Sequence, residues 1–237
     1  MKNKYILIYD ELAKEISSGL YQSQELLPSE SELTEKYSVS RETIRKALKL
    51  LSEHGYIQRI QGKGSVVLEI DKVNFPISGL VSFKELAGKL GQRASTSVTA
   101  FETILPTPFL EKTLDIDSRE PLWNISRVRE IDGERIILDK DVILKRTAPE
   151  LTKEICASSI YEYLEDSLSL TISFAKKEIT VEEPTAEDRE LLDLEGFSTI
   201  VVVRNYVYLD NALLFQYTES RHRTDKFRFV DFARRNR

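Results

Sequence analysis

The stretch LPSESELTEKYSVSRETIRKALKLLSEHGYIQRIQGKGSVV, residues 27–67, reads as two short helices joined by a turn and followed by a two-stranded wing. Pro28 suits a first helical turn, and Ser29 is a good cap beside acidic Glu30 and Glu32. Ser40 can cap the second helix, with Glu42 and Thr43 in its first turn. Ile44, Ala47, Leu48 and Leu51 recur at three- and four-residue steps and so form a buried stripe. Arg41 and Arg45 lie four apart on another face. Gly55 suits the left-handed residue after a helix. Residues 56–60 then alternate as a strand, Gln61-Gly62-Lys63-Gly64 makes a basic turn, and residues 65–68 return.

Such a unit docks in DNA. The first residues of the second helix meet base edges in the major groove, where arginine forks match guanine acceptors. Arg41 and Arg45 are the expected readers, with Ser40 and Thr43 assisting near the backbone. Gly62 and Gly64 let Lys63 and the main chain approach a phosphate or the minor groove closely. An ordinary helical subdomain with a surface hairpin would explain either half alone. The succession of both at this spacing favours DNA.

These residues resemble the winged-helix domain of GntR-type bacterial transcription regulators. The upstream segment fits too, with apolar Tyr5, Ile6, Ile8, Tyr9, Leu12 and Ile16 closed by Gly19. The resemblance continues into the HutC branch, whose members carry a ligand-sensing UTRA domain of chorismate-lyase-like fold.

Charge is arranged to suit a selective binder. The chain carries a net charge of −5, which argues against broad nucleic-acid binding. Yet residues 39–68 hold six basic side chains, Arg41, Arg45, Lys46, Lys49, Arg59 and Lys63, against only Glu42 and Glu53. With 41% hydrophobic and 31% charged residues, 237 residues suffice for two globular domains. No run approaches membrane-spanning length and no apolar signal segment opens the chain, so a cytoplasmic location and no membrane partner are expected. Cys156, the single cysteine, excludes an intrachain disulfide and a thiolate zinc cluster, while two separated histidines suggest no metal site. No cofactor is expected.

The expected division is a winged helix-turn-helix over 1–70, a linker over 71–78 around Pro76, and a sensor and dimerisation domain over 79–237. A short helix should open at Ser82. From about residue 95 the texture is that of strands and hairpins: two strands between 121 and 145 around the type I′ signal Asp132-Gly133, then helices over 149–155 and 159–164. A strand over 171–181, a helix capped by Thr185 and a second hairpin over 198–223 turning at Asp210-Asn211 follow, with an edge strand near 227–230. The similar hairpins hint at internal duplication. Mostly antiparallel strands with intervening helices make the whole α+β.

Along the strand 123–131, Trp123, Ile125, Arg127, Arg129 and Ile131 share a face, so two guanidinium groups sit on an apolar stripe. A buried cation costs several kcal/mol, of the order of ~3–5, unless paired, and a phosphate would match two forks. Internal pairing with Asp139, Asp141 or Glu178, or simply an exposed strand edge, serves equally on pattern alone. Ser159 is either a helix cap or part of an anion cradle. Gln216, Ser220 and His222 share a face of the later strand.

The resemblance implies specific roles. Arg127 and Arg129 would bind the anionic group of a phosphorylated sugar, with Ser159 and Tyr161 completing that site and Asp139 holding hydroxyls. Gln216, Ser220 and His222 would line the sugar, although Gln216 stands where relatives usually carry glutamate. The segment with Ser82 and Phe83 would close over the ligand. Trehalose 6-phosphate is the leading effector, and the implied function is a homodimeric repressor released from double-stranded operator DNA by that ligand. The competing reading is an enzyme of the same lyase-like fold acting on a phosphosugar or aromatic acid. It needs a poised nucleophile or acid–base pair, and Cys156 and His222 have no such neighbour in sequence.

Overall fold

The computed structural model describes residues 3–68, 83, 93–227 and 229, which fall into two compact units. In the first, α1 (Lys4–Ser17) buries Ile8, Leu12, Ala13 and Ile16. Helix α2 (Glu30–Tyr37) starts from a full capping box: Ser29 Oγ accepts from the Glu32 amide at 3.3 Å, and Glu32 Oε2 accepts from the Ser29 amide at 2.7 Å. The cap is therefore Ser29, and Pro28 stands one residue ahead of it rather than inside the first turn. Helix α3 (Arg41–Glu53) is capped by Ser40 and buries Ile44, Ala47, Leu48 and Leu51 against Leu12, Leu33 and Ile57. Gly55 takes φ 75°, the left-handed conformation that lets the chain leave α3.

The wing follows as β1 (Ile57–Ile60) and β2 (Gly64–Val67), paired antiparallel from Ile57↔Val67 to Ile60↔Gly64. Leu26 bridges Val66, tying the turn before α2 to the wing.

The second unit is built on one six-stranded antiparallel sheet in the order β3-β4-β5-β8-β7-β6. Its strands are β3 (Ala94–Ile104), β4 (Leu122–Ile131), β5 (Glu134–Leu144), β6 (Ile172–Glu182), β7 (Ile200–Leu209) and β8 (Leu214–Arg223). Each half is a three-stranded meander, and the two meet through their last strands, β5 and β8. Asp132 (φ 52°) and Gly133 (φ 88°) make the expected turn between β4 and β5.

Among the described residues four helices connect the strands: α4 (Pro108–Leu114), α5 (Lys153–Ser158), α6 (Ile160–Glu162), which continues as a π turn over Tyr163–Ser167, and α7 (Ala186–Leu191). The expected helix over 149–155 is displaced. It starts at Lys153 because Thr152 Oγ1 accepts from the Ile155 amide and sets the cap there. The main apolar core joins Leu122, Trp123, Ile125 and Ile143 to Leu110, Cys156, Ile160, Leu164 and Phe215.

No strand includes Phe227 or Phe229, so the expected edge strand is not formed there; Arg228 and Val230 lie outside the described residues. The linker and the helix opening at Ser82 also lie outside them, except for Phe83.

Candidate functional site

The candidate DNA-reading residues of the first unit lie at the start of α3 and at the wing tip. Ser40 Oγ accepts from the Thr43 amide at 3.2 Å and sits 2.9 Å from Thr43 Oγ1, so the two hydroxyls fix the start of α3. Arg41 and Arg45 are exposed on α3. At the wing tip Gly62 (φ 76°) and Gly64 (φ 115°) flank exposed Lys63, whose amide donates to the Ile60 carbonyl at 3.1 Å. A Cβ on Gly64 would meet Leu26 Cδ2 at 3.4 Å in a backbone region that side chains avoid.

Glu30, which its position marks only as an acid in the first turn of α2, bridges two arginines: Oε2 accepts from Arg45 Nε at 2.8 Å and Oε1 from Arg59 Nη2 at 2.7 Å. No spacing rule links residues 15 and 29 positions apart.

In the second unit the register brings the effector candidates of β4, β5 and β8 onto one face of the sheet, whereas Ser159 caps α6 and Tyr161 lies within it. Arg127 pairs across to Asp139, Asp139 to Ser220, Asp141 to Thr218, Ile143 to Gln216, and Ile137 to His222. Paired residues point the same way, so β4, β5 and β8 converge. The arginines are nevertheless paired internally. Arg127 donates to Asp141 Oδ2 through Nε (3.0 Å) and Nη2 (2.6 Å), and reaches the Cys156 carbonyl through Nη1 at 3.4 Å. Arg129 donates through Nε to Asp139 Oδ2 at 2.9 Å and through Nη1 to Thr96 Oγ1 at 2.7 Å. Phe83 lies over its guanidinium, 4.7 Å from ring centroid to Cζ. Of the three carboxylates weighed as partners, Asp139 and Asp141 take part; Glu178 instead pairs with Lys176.

The two carboxylates differ. Asp141 is saturated, since Oδ1 accepts from Gln216 Nε2 and Thr218 Oγ1, both at 2.8 Å, in addition to Arg127 at Oδ2. Asp139 accepts from Arg129 and, at 2.6 Å, from Ser220 Oγ. Burial pushes the Asp139 pKa up, but Arg129 and Arg127 outweigh it and hold the group below the usual carboxylate range. Burial lowers the Arg129 pKa, with Arg127 adding to the effect. Gln216 Oε1 is buried and has no hydrogen-bond partner among the described residues.

Ser159 Oγ caps α6, accepting from the Glu162 amide at 3.2 Å. Burial raises the Tyr161 pKa, helped by nearby Asp141. His222 packs against Phe227 at 5.1 Å, and burial lowers its pKa to about 4 against the opposing charge of Asp139. Burial pushes the Cys156 thiol up to about 12, so it offers no thiolate at neutral pH. Ser82 lies outside the described residues. Asp141 and Thr218 were legible as strand alternation from Asp139 and Ser220; Thr96 faces Arg129 from the neighbouring strand β3 but lies 33 positions away in sequence, so alternation carried no signal of it.

Comparison with known proteins settles the class. The family model for bacterial regulatory proteins of the gntR family matches residues 4–67, and that for the UTRA domain matches residues 89–228. The chain is 56% identical to the HTH-type transcriptional regulator TreR of Bacillus subtilis over 99% of each chain. This chain belongs to the GntR family and carries a UTRA domain. As a GntR-family member it is a DNA-binding transcriptional regulator, not an enzyme.

The mannosyl-D-glycerate transport/metabolism system repressor MngR of Escherichia coli is 30% identical over 99% of this chain and 97% of its own. Among solved structures, the B. subtilis regulator YydK superposes with a TM-score of 0.80 at 27% identity, covering 98% of this chain and 100% of that one. The effector binding domain of the B. subtilis trehalose repressor matches with a TM-score of 0.56 at 55% identity, over 60% of this GntR chain and 99% of that one. No helix among the described residues is long and apolar enough to cross a membrane.

Proposed function

We propose that this regulator represses a trehalose-utilisation operon and leaves its operator when trehalose 6-phosphate fills the UTRA pocket. The observation that carries the reading is the likeness to TreR, 56% across both units, together with 55% identity to a trehalose repressor's effector binding domain. The chemistry of the sheet face supports it. Arg127 and Arg129 supply forked donors for a phosphate, and in this reading Ser159 and Tyr161 complete the anion site. Asp139 keeps acceptor capacity for sugar hydroxyls, and the unpartnered Gln216 Oε1 requires a donor that a hydroxyl provides. In this reading Ser220, His222 and Phe83 complete the lining, while Ser82, assigned to the same site from sequence, lies outside the described residues.

The internal pairing adjusts the mechanism. Two buried arginines balanced by two aspartates do not demand an anion, so an entering phosphate must share or displace Asp139 from Arg129. In this reading residues 1–70 bind double-stranded DNA through Ser40, Arg41, Thr43, Arg45, Gly62, Lys63 and Gly64. Residues 71–78 link them to a sensor and dimerisation domain, 79–237, in a homodimer. A thermal-shift series on the full chain tests the ligand: trehalose 6-phosphate should raise the midpoint more than glucose 6-phosphate, and trehalose least. A shift by trehalose equal to that by its phosphate would refute the phosphate reading.

A further inference from the structure

The reading head contains a carboxylate that the expected DNA contacts leave without a role. Glu30 opens α2, and each of its oxygens takes an arginine from a different element, Arg45 on α3 and Arg59 on β1. The other ion pairs along α3 are of another kind. Lys46–Glu42 at 3.2 Å and Lys49–Glu53 at 3.6 Å are single-element pairs one helical turn apart, with strongly exposed partners. Exposed pairs of that sort contribute at most about 1 kcal/mol. The Arg45 side chain is 61% exposed and that of Arg59 42% exposed, so their attachment to Glu30 adds little to folding and its consequence is orientation.

The atoms involved define that orientation. Glu30 grips Arg45 through Nε, on the side edge of the guanidinium, so that contact does not use the Nη1/Nη2 edge. That edge is the fork that meets guanine O6 and N7. On Arg59 the contact is through Nη2, so its remaining N–H groups can reach a phosphate singly rather than as a fork. One carboxylate thus fixes the reader and the wing strand relative to each other. It also cancels one of the two positive charges that would otherwise attract any duplex.

We propose that Glu30 is a specificity-determining positioning residue for operator recognition, holding Arg45 in its reading rotamer from α2 and tying it to Arg59 of the wing. It acts through Arg45 and is itself no base reader.

The test uses the full chain and a duplex selected by that chain from random sequence, with a scrambled duplex of equal length as the nonspecific probe. The variants are Glu30→Gln, Glu30→Asp, Arg45→Ala and the double Glu30→Gln/Arg45→Ala, each first checked for an unchanged thermal midpoint. Glu30→Gln should lower the ratio of specific to nonspecific affinity about tenfold, the scale of one mispositioned arginine fork. Its nonspecific binding should tighten, with a salt slope steeper by about one charge. Glu30→Asp keeps the charge but is too short to span both arginines. It should lower the ratio while leaving the salt slope at the parent value. In the Arg45→Ala background, Glu30→Gln should cost no further specificity. A parent-like ratio in Glu30→Asp would reduce Glu30 to a charge effect and overturn the proposal. An undiminished loss in the Arg45→Ala background would overturn it too, by making Glu30 a direct reader.

Discussion

Arg127 shows how far a single residue departs from what its sequence neighbours suggest. Its pattern on an apolar strand called for a counter-charge, and that partner proved to be Asp141, two residues beyond Asp139 on the same strand face. Removing one member of a buried pair strands the other. Arg127→Ala should therefore destabilise the UTRA unit by about 3–5 kcal/mol in urea unfolding, whereas Arg127→Met with Asp141→Leu should recover only part of the loss, because Gln216 Nε2 and Thr218 Oγ1 then lose their acceptor. A parent-like single variant would mean that the pair is not closed in solution. His222 gives a test by pH. Its folded pKa of about 4 lies below the ordinary 6.5, so between those values the unfolded chain binds a proton that the native chain does not. Native stability should fall as the pH drops through that window and flatten beneath it. In His222→Gln this part of the slope should disappear from thermal midpoints measured across the window. Asp139, held below its ordinary pKa, contributes stability that is lost only at lower pH, beneath the ordinary 3.8. The two effects are thus separable.

At the scale of elements, what was legible was what is encoded locally. Ser29 and Ser40 as caps, the α3 stripe, Gly55 after the helix and the Asp132-Gly133 turn each rest on residues a few positions apart, and each is present. The helix start near 149 was misplaced because Pro149 marked a boundary while Thr152 supplied the competing cap. The π turn over Tyr163–Ser167 left no sequence signal. Long-range pairing was the least legible. Strand alternation gave the faces of β4 and β8, but only the register shows Asp139 beside Ser220 and Asp141 beside Thr218. The same limit hid Glu30, whose partners lie on two other elements. For the wing, Lys63→Ala should weaken operator binding and reduce the salt slope by about one charge, because the exposed tip offers a single phosphate contact. Titrations at several salt concentrations that give the parent slope would remove Lys63 from the interface.

At the scale of the molecule, one reading head covers a short half-site, so two-fold operator symmetry calls for two copies of the chain. Sedimentation at working concentration should give a dimer, and a monomer with full operator affinity would contradict it. Ligand and DNA are then coupled only if the effector binds more tightly to a dimer geometry in which the heads miss successive half-sites. Reciprocity requires operator DNA to weaken effector binding by the same factor. The most direct measurement is operator release by titrated ligand, followed by fluorescence anisotropy of a labelled duplex at fixed salt. Trehalose 6-phosphate should release the duplex, and unphosphorylated trehalose should act only at far higher concentration, since it keeps the hydroxyls and lacks the phosphate proposed to engage Arg127 and Arg129. Release by both sugars at the same concentration, or by neither, would contradict the account.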